Sequence, residues 1–400
     1  MKTIRLGVIG TCCRGFIADY AQQPENGVEV VAGADRYEPQ RRDFVERHQK
    51  NFNRAVHIYC DYREMIEKEH LDGVFITTPD FLHEEMAVFA LEQHVPVYLE
   101  KPIAITIAGA DHILETAYRT RTRLMLGHNM RYMNFTNIMK TAIDSGVIGE
   151  VKAVWCRHFI NYGGDAYFRD WHADRRNTNS LLLQKGAHDI DIIHWLAGAY
   201  TARVNGLGGL TLYDRLPRRP AGQDRLPGLT IVDVWKQEHY PPVEMKDFAP
   251  EISVEDINMI QMRLDNGVLA SYEQCHFTPD TTRNYTVIGT RGRLENYGDG
   301  AEDSTVEVWT TRKGFRLEGD ITYRMPPETA GGHGGSDPLI VQDFIELLRN
   351  DRQPRSTVQA ARYSVVTGCL GADSIRSDGM PFSVPKLPEH LEHYNFELAR

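Results

Sequence analysis

The sequence lacks the long apolar runs and the basic blocks that mark membrane and nucleic-acid-binding proteins. No stretch of about 18 consecutive apolar residues occurs, so a membrane-spanning helix is not expected. The formal net charge is −10, from 45 basic and 55 acidic side chains, with no long run of lysine or arginine. Because phosphate-rich partners require a basic surface, we expect neither a nucleic-acid nor a membrane partner.

Cysteine is also sparse. The six cysteines form no Cys-x-x-Cys pair, which argues against a disulfide framework or a zinc scaffold. The sixteen histidines include no His-Glu-x-x-His run, so no metal site is predicted. The first ten residues lead directly into a strand-like pattern, so we expect no signal peptide and a cytoplasmic location.

What is present is typical of a globular α/β protein of two or three domains, with 42% hydrophobic and 25% charged residues in 400. Short apolar runs alternate with helical patterns up to residue 128, which predicts an N-terminal Rossmann domain, a doubly wound parallel sheet over residues 1–128. Residues 129–400 read as an α+β domain with a large, mostly antiparallel open sheet. Helices are predicted there at 188–197, 338–350 and 357–377, and a long loop at 214–250.

The first candidate site is the turn that follows the first predicted strand. A dinucleotide fingerprint has the form G-x-G-x-x-G at such a turn, because its glycines permit the tight turn, the approach of the pyrophosphate and helix–strand packing. Cys12 stands where the middle glycine would be, so the match alone is weak. We assign the turn and the start of the next helix to cofactor binding: Gly10, Thr11, Cys12, Cys13, Arg14, Gly15, Phe16 and Ile17.

Asp35 ends the second predicted strand, 20 residues after Gly15. A carboxylate there accepts hydrogen bonds from the adenosine ribose hydroxyls and repels a 2′-phosphate, which favours NAD over NADP. Arg36 follows it and would favour NADP if it paired with that phosphate. We assign both residues to the cofactor site, with NAD as the predicted cofactor and NADP as the alternative.

Two further segments follow the fourth and fifth predicted strands, at the carboxyl edge where ligands bind in open α/β sheets. One is Thr77-Thr78-Pro79-Asp80 with His83 after it, and the other is Glu100-Lys101-Pro102. Taken alone, a lysine beside a proline is compatible with an exposed turn. We assign six of these residues to the cofactor site: Thr77, Thr78, Pro79, His83, Glu100 and Lys101.

With these motifs the chain resembles the glucose–fructose oxidoreductase/inositol dehydrogenase/MocA family (Gfo/Idh/MocA). The match continues in Asn129-Met130-Arg131-Tyr132 and Gly186-Ala187-His188-Asp189-Ile190-Asp191. The resemblance implies an NAD(P)-binding domain, an α/β domain whose open sheet often forms dimers or tetramers, and a sugar or polyol substrate. It also implies that Lys101 and His188 lie near the nicotinamide and the reacting hydroxyl, and it adds Asn129 to the cofactor site.

The chemistry of the candidate catalytic residues agrees with this resemblance. Oxidation of a carbinol requires a base, and partial desolvation of Lys101 would lower its pKa toward a useful range. His188 offers an imidazole, and Asp191 follows on the same helical face. Gln184 occupies the position where many relatives have an aspartate, so no carboxylate–histidine relay starts there. Lys185 is either a third catalytic group, whose charge would lower the pKa of Lys101 or its own, or an exposed lysine before a helix.

Aromatic and ionic residues after Tyr162 suggest a substrate or nicotinamide lid, because an aromatic face suits the C–H side of a sugar ring. The alternative is a loop anchored by core aromatics. Farther on, the Gly331–Gly335 run lacks the lysine of a phosphate loop, so we expect a mobile segment or a subunit contact. The predicted substrate-binding residues are Arg131, Tyr162, Arg169, Trp171, His172, Gln184 and Asp191.

The sequence therefore predicts an NAD(P)-dependent oxidoreductase of a sugar or sugar derivative, with Lys101, His188 and Lys185 as catalytic residues. An alternative is a redox-neutral, NAD-dependent glycoside hydrolase, which oxidises C3, eliminates the C1 substituent, adds water and re-reduces the ring. A non-catalytic NAD-sensing protein is a third possibility. The expected partners are a small carbohydrate and further copies of this chain.

Overall fold

The computed structural model describes residues 3–223, 240–300, 303–326 and 331–392. The chain divides into two compact units. The first comprises Met1–Tyr132, Ala330–Arg362 and Leu387–Arg400, and the second comprises Met133–Thr329 and Tyr363–Lys386. The sequence had assigned Ala330–Arg362 to the second domain, within 129–400, whereas this segment returns to the first unit.

The first unit contains a six-stranded parallel sheet in the order β3-β2-β1-β4-β5-β6. This order is that of the doubly wound dinucleotide-binding fold, which confirms the predicted Rossmann architecture. The strands are β1 (Ile4–Ile9), β2 (Val28–Ala34), β3 (His57–Tyr59), β4 (Gly73–Ile76), β5 (Val97–Leu99) and β6 (Leu124–Leu126).

Helices cross between these strands, and two of them begin at side-chain caps. Asp61 accepts the backbone N–H of Arg63, and Thr106 accepts that of Gly109; such caps satisfy donors that a first helical turn leaves unpaired. The segment after the fingerprint is a 3₁₀ helix, Cys13–Ala21, where the sequence predicted an ordinary helix. The α-helices are α1 (Glu38–Phe52), α2 (Tyr62–Glu69), α3 (His83–Glu92) and α4 (Ile107–Thr120).

The returning segment packs through aromatic contacts. Phe344 in helix Ser336–Asn350 lies edge-on to Phe75 of β4 and Tyr98 of β5, with ring centroids 5.3 and 5.8 Å apart. All three side chains are fully buried, and edge-to-face pairs of this kind add to the stabilisation from burial. The late helix therefore completes the core of the first unit.

The second unit contains a nine-stranded sheet in the order β14-β13-β12-β11-β7-β10-β9-β8-β15. Strands β7 and β10 pair in parallel and the other neighbours are antiparallel, which confirms the predicted mostly antiparallel sheet. Its strands are β7 (Val151–Phe159), β8 (Thr201–Gly209), β9 (Ile257–Leu264), β10 (Leu269–Cys275), β11 (Thr282–Gly289), β12 (Arg293–Tyr297), β13 (Thr305–Trp309), β14 (Ile321–Arg324) and β15 (Phe382–Ser383).

The principal helix of the second unit is longer than predicted. The sequence placed its start at His188, whereas it spans Leu181–Ala197 and begins at Ser180, whose side chain accepts the backbone N–H of Leu183. Nearly every residue of this helix is buried. A helix buried all round has no apolar stripe, so its first turns carried no periodic signal. The correction places Gln184 and Lys185 within the helix.

The remaining helices are α5 (Asn134–Asp144), α6 (Gly163–Ala166), α7 (Arg175–Thr178), α8 (Leu181–Ala197), α9 (Ser336–Asn350), α10 (Val358–Arg376) and α11 (Glu389–Glu392). The predicted loop 214–250 lies partly outside the described residues, and its described parts contain two 3₁₀ turns. Among the described residues, no helix is long and apolar enough to cross a membrane. No cluster of three metal-ligating side chains occurs in those same ranges.

Candidate functional site

The fingerprint turn requires glycine at two positions. Gly10 has φ +87°, in the region that favours glycine. A Cβ on Gly15 would lie 2.3 Å from the carbonyl oxygen of Gly10, so a larger residue could not pack there. Cys12, in contrast, has extended backbone angles of −105° and 176°. Any L-residue adopts that conformation, which explains how a cysteine stands in place of the middle glycine.

Asp35 lies beside this turn. Its carboxylate accepts the backbone N–H of Thr11 at 3.1 Å and that of Tyr37 at 3.0 Å, and it is only partly buried. Arg36 is exposed and donates to the hydroxyl of Tyr37 at 2.6 Å. A close glycine turn with an accessible carboxylate at the end of β2 fits the pyrophosphate and ribose of a dinucleotide.

The segments after β4 and β5 are joined to this turn by hydrogen bonds. Thr77 Oγ1 donates to the carbonyl of Gly10 at 2.7 Å. The two ring nitrogens of buried His83 lie 2.7 Å from the carbonyl oxygen of Pro102 and 2.9 Å from that of Thr78. His83 therefore holds together the two segments assigned to the cofactor. The Lys101–Pro102 peptide bond is cis.

Arg14 links the fingerprint to the returning segment. Its guanidinium donates to Glu100 at 2.6 Å and to both carboxylate oxygens of Asp337 at 2.6 and 2.9 Å. Asn129 also donates to Asp337, at 3.1 Å. Burial alone would raise the pKa of Asp337, but hydrogen bonds from His333 and Arg14 hold this pKa well below its ordinary value.

The glycine-rich run is thus part of the first unit. His333 Nδ1 lies 3.0 Å from Asp337, and the backbone N–H of Gly332 donates to the hydroxyl of Tyr20 at 3.0 Å. These bonds tie the run to the fingerprint region of the same chain, and the mobile segment or subunit contact stays a prediction. Sequence reasoning did not select Asp337, because the bonds join residues more than 300 positions apart.

Lys101 and Arg131 complete the predicted residues of the first unit. The backbone N–H of Lys101 donates to Glu100 at 3.1 Å, and the Lys101 side chain is partly exposed. Arg131, predicted to bind substrate, is buried and donates to the carbonyl oxygen of Arg355 at 2.8 Å. This bond holds the 3₁₀ turn Asn129–Tyr132 to the returning segment.

In the second unit, α8 carries Gln184, His188 and Asp191 along one face, because residues spaced by four and three positions align on a helix. All three are buried. Gln184 occupies the turn before His188 on this helix. Gln184 therefore belongs to a regular helix, and its position carries an amide and not a carboxylate.

Lys185 lies on the adjacent face of α8. Its amine donates to the hydroxyl of Tyr162 at 3.2 Å and lies 5.3 and 5.1 Å from the ring centres of Tyr162 and Tyr167. Desolvation by the surrounding protein, followed by the positive charge of Arg283, lowers the pKa of Lys185 to about 7. The alternative of an exposed lysine before a helix is thus wrong. The positive charge that lowers the pKa of Lys185 is that of Arg283, a residue that the sequence analysis did not select.

Asp189, one turn after Lys185, is the centre of a fully buried polar network. His158 Nδ1 lies 3.0 Å from Oδ2, and the hydroxyl of Tyr272 donates to Oδ2 at 2.9 Å. Arg283 Nε lies 3.1 Å from Oδ1, which also accepts a bond from the hydroxyl of Tyr285. Burial raises the pKa of Asp189, but these partners outweigh it, so this carboxyl stays ionised.

The same network keeps its histidines neutral. Desolvation and then the charge of Arg283 lower the pKa of His158 to about 4. Burial likewise lowers the pKa of His276, whose Nε2 lies 3.2 Å from the amide nitrogen of Gln274. His158, Tyr272, Gln274 and Tyr285 lie at buried positions of three neighbouring strands, β7, β10 and β11. Polar residues at buried positions of β7, β10 and β11 were the signal that could have identified this network.

The residues of the predicted lid fall into a buried group and a partly exposed group. Tyr162, Tyr167 and Phe168 belong to a buried apolar cluster, as the core-aromatic alternative states. Trp171 and His172 are less buried and stack on each other, with ring centroids 3.6 Å apart. Arg169 pairs with Asp165 at 3.2 Å and donates to the carbonyl of Lys246. The Trp171–His172 pair thus keeps part of its aromatic surface accessible.

Comparison with known proteins places both parts of the chain in one family. The family model described as "Oxidoreductase family, NAD-binding Rossmann fold" matches residues 4–128. The model described as "Oxidoreductase family, C-terminal alpha/beta domain" matches residues 140–384. Together they cover most of the chain.

The individual relatives have low sequence identity to this chain. The protein YteT of Bacillus subtilis is 26% identical over 347 residues, covering 77% of this chain and 80% of YteT. An alpha-N-acetylgalactosaminidase of Shewanella oneidensis is 24% identical over 400 residues, covering 92% of this chain and 81% of that protein. A levoglucosan dehydrogenase, solved with NADH and levoglucosan, has a TM-score of 0.78 at 18% identity and covers 96% of this chain and 100% of its own. The last likeness shows a shared fold.

Replacement of Asp189 by asparagine is expected to destabilise the protein strongly, because it removes the nearer anionic partner of Arg283 and leaves Asp299 at 3.7 Å. Breaking a buried ion pair in this way costs about 3–5 kcal/mol. Glu150→Gln is the control, since Glu150 forms an exposed pair with Lys152 in the same unit and such pairs contribute about 0–1 kcal/mol. Urea unfolding measures both. Equal losses of stability in the two variants would contradict the assigned role of Asp189.

Proposed function

Because this chain belongs to the Gfo/Idh/MocA oxidoreductase family, we propose that it is an NAD-dependent enzyme that oxidises or reduces a carbon of a sugar or sugar derivative. Bound NAD accepts or supplies the hydride in such a reaction. The observation that carries the proposal is Lys185, an amine whose pKa is lowered to about 7 in a protein with an NAD-binding fingerprint. A carbinol can lose its proton only to a base, and about half of the amines with this pKa are neutral, and so able to act as one, at pH 7.

Three residues are assigned to proton transfer and alkoxide stabilisation: Lys101, Lys185 and His188. Lys185 accepts a proton in its neutral form and returns it in the reverse direction. Its bond to the hydroxyl of Tyr162 orients the amine. His188 is an imidazole on the same helix, and Lys101 follows β5 in the turn braced by His83. Amine and imidazole groups both hydrogen-bond a developing alkoxide.

Residues of the first unit are assigned to the cofactor. Gly10, Gly15 and the backbone of the turn would hold the pyrophosphate, and Asp35 would accept the ribose hydroxyls. Arg14, Glu100 and Asn129 form a single hydrogen-bonded network with Asp337. That network fixes the positions of the segments that follow β5 and β6.

A carbohydrate substrate is supported by the residues of the second unit and by the relatives. The accessible Trp171–His172 pair offers an aromatic face, which suits the apolar side of a sugar ring. Gln184, Asp191 and Tyr162 provide hydrogen-bonding groups for hydroxyls. The similar levoglucosan dehydrogenase and alpha-N-acetylgalactosaminidase both act on carbohydrates by name.

The second candidate function is redox-neutral glycoside hydrolysis. The observation that favours it is the relative named alpha-N-acetylgalactosaminidase, which aligns with 92% of this chain. Oxidation at ring C3 would acidify the C2 proton, a base would remove it, and the C1 substituent would leave. Water would then add, and the ring ketone would be reduced again, so that the net reaction is hydrolysis. The several proton-transfer groups near Lys185 suit these successive steps.

We further propose that the chain forms a homo-oligomer, a dimer or tetramer, through the outer face of the nine-stranded sheet. Four large apolar side chains on neighbouring strands are strongly exposed on this face: Trp155, Leu207, Met259 and Leu269. Leu207 pairs directly with Met259, and Trp155 pairs with Ser271 beside them. Large exposed apolar side chains on one sheet face favour a protein–protein interface.

One assay distinguishes the two candidate functions. Free sugars and aryl glycosides are offered to the enzyme, and NADH absorbance and released aglycone are recorded together. Stoichiometric NADH from a free sugar supports the dehydrogenase, and aglycone release without net NADH supports the hydrolase. Lys101→Ala is expected to reduce either activity by about 100-fold or more, with NADH affinity retained. The exposed Lys50→Ala is the control, and unchanged turnover in Lys101→Ala would remove Lys101 from catalysis.

Asp35→Asn is expected to reduce the preference for NAD over NADP by about tenfold, because it removes the charge that repels a 2′-phosphate. Asparagine keeps an acceptor for the N–H of Thr11, so the turn should persist. Binding of NADH and NADPH is measured by fluorescence titration. Asp43→Asn, in the exposed part of α1, serves as the charge control. An unaltered ratio of affinities in Asp35→Asn would exclude Asp35 from the ribose site.

Arg283→Gln tests the origin of the lowered pKa of Lys185. Activity that depends on the neutral amine rises with pH through about 7. Removing Arg283 takes away a positive charge that repels the protonated amine, while Asp189 still attracts it. The pKa of Lys185 should therefore rise, and the midpoint of the activity–pH curve should move to higher pH by about one pH unit. His158 and His276, the neighbouring imidazoles, stay neutral in this range.

The measurement is kcat/KM against pH for Arg283→Gln, Arg283→Lys and Arg376→Gln. Arg283→Lys keeps the charge and should keep the midpoint. Arg376 pairs with Glu255 at 2.7 Å elsewhere in the same unit, so its loss should not move the midpoint. A midpoint that is the same in all variants would show that Arg283 does not set the protonation of Lys185.

A further inference from the structure

Two adjacent thiols lie in contact at the fingerprint turn. The Sγ atoms of Cys12 and Cys13 are 3.5 Å apart, with Cys13 exposed and Cys12 partly exposed. Cys13 has φ +51°, an uncommon conformation for a residue with a side chain. The contact therefore depends on a left-handed backbone at Cys13 next to an extended one at Cys12.

The spacing of the two sulfurs decides which chemistry they suit. Cα atoms of adjacent residues are about 3.8 Å apart, which is below the about 4.4–6.8 Å that disulfides span. A direct sulfur–sulfur bond would thus distort the turn. By contrast, one atom bonded to both sulfurs at about 2.3 Å, with an angle near or slightly below the tetrahedral value, holds them roughly 3.5–3.8 Å apart. The observed separation matches a bridging atom.

We propose that Cys12 and Cys13 form a bidentate dithiol site for a thiophilic trivalent metalloid, and that its occupation excludes the dinucleotide. With an organoarsenic(III) oxide as ligand, both S–H protons leave with the oxide oxygen as one water molecule and two As–S bonds form. Arsenic stays trivalent, so no oxidant is needed.

Exclusion of the dinucleotide follows from the position of the site. Cys12 occupies the fingerprint position at which a glycine normally lets the backbone approach the pyrophosphate. A bridging atom and its substituent on Cys12 and Cys13 would fill the space beside the turn that the pyrophosphate needs. This part of the proposal rests on the coenzyme binding at the turn, whereas metalloid binding itself does not.

Phenylarsine oxide is the probe, and intact mass spectrometry of the full chain without coenzyme is the first readout. We expect one phenylarsenic per chain, retained in excess 2-mercaptoethanol and removed by 2,3-dimercaptopropanol, because a chelating dithiol competes where a monothiol does not. Cys12→Gly and Cys13→Ser should abolish this adduct. Cys60→Ser should keep it, since Cys60 is an exposed cysteine far along the chain.

The second readout is NADH binding by fluorescence. The adduct should weaken NADH affinity by about tenfold or more, and NAD added first should slow adduct formation. An adduct that survives in Cys13→Ser, or that 2-mercaptoethanol removes, would overturn the dithiol site. A stable adduct with unchanged NADH affinity would overturn the exclusion alone. Absence of NADH binding in the untreated protein would instead refute the proposed function.

Discussion

The buried ion pair of Asp189 and Arg283 is the interaction on which the second unit depends. Two charges removed from water are stable only if their hydrogen-bonding capacity is met, and here His158, Tyr272 and Tyr285 also bond to the carboxylate. These partners come from three strands of the sheet and hold α8 against it. The same arrangement leaves Arg283 close enough to Lys185 to disfavour a charged amine. The residues that hold α8 against the sheet therefore also influence the pKa of Lys185.

In the first unit, too, buried charged side chains are paired and hydrogen-bonded, although by different residues. Arg14 forms ion pairs with both Glu100 and Asp337, and these pairs tie the fingerprint turn to the end of β5 and to the start of α9. The glycine contact between Gly10 and Gly15 then shapes the turn itself. The fingerprint turn is therefore held by a segment that enters the unit more than 300 residues later in the chain.

Local sequence patterns predicted most helices and strands correctly. The features that they missed depend on contacts between residues far apart in the chain. The sequence pattern predicts strands at Ile4–Ile9 and Val28–Ala34 and a helix at Asn134–Asp144. The bounds of β1, β2 and α5 agree with these predictions, because buried strands and an amphipathic helix have clear periodicities. The start of α8 was missed because its first turns are buried on all sides. The candidate residues Lys101, His188 and Lys185 were identified by motif and resemblance. Asp189, Arg283 and Asp337 were not, since their importance arises only when distant strands and segments meet.

The proposed proton transfer depends most on the protonation state of Lys185, which direct titration can measure. In the full chain with isotopically labelled lysine, the Lys185 side-chain resonance is assigned by its loss in Lys185→Arg and followed by NMR from pH 5 to 11. The account predicts a transition near pH 7, where the pKa of this amine is about 7. A transition near the ordinary lysine value of about 10.4 would contradict it, because the amine would then be charged throughout the neutral range and unable to act as a base.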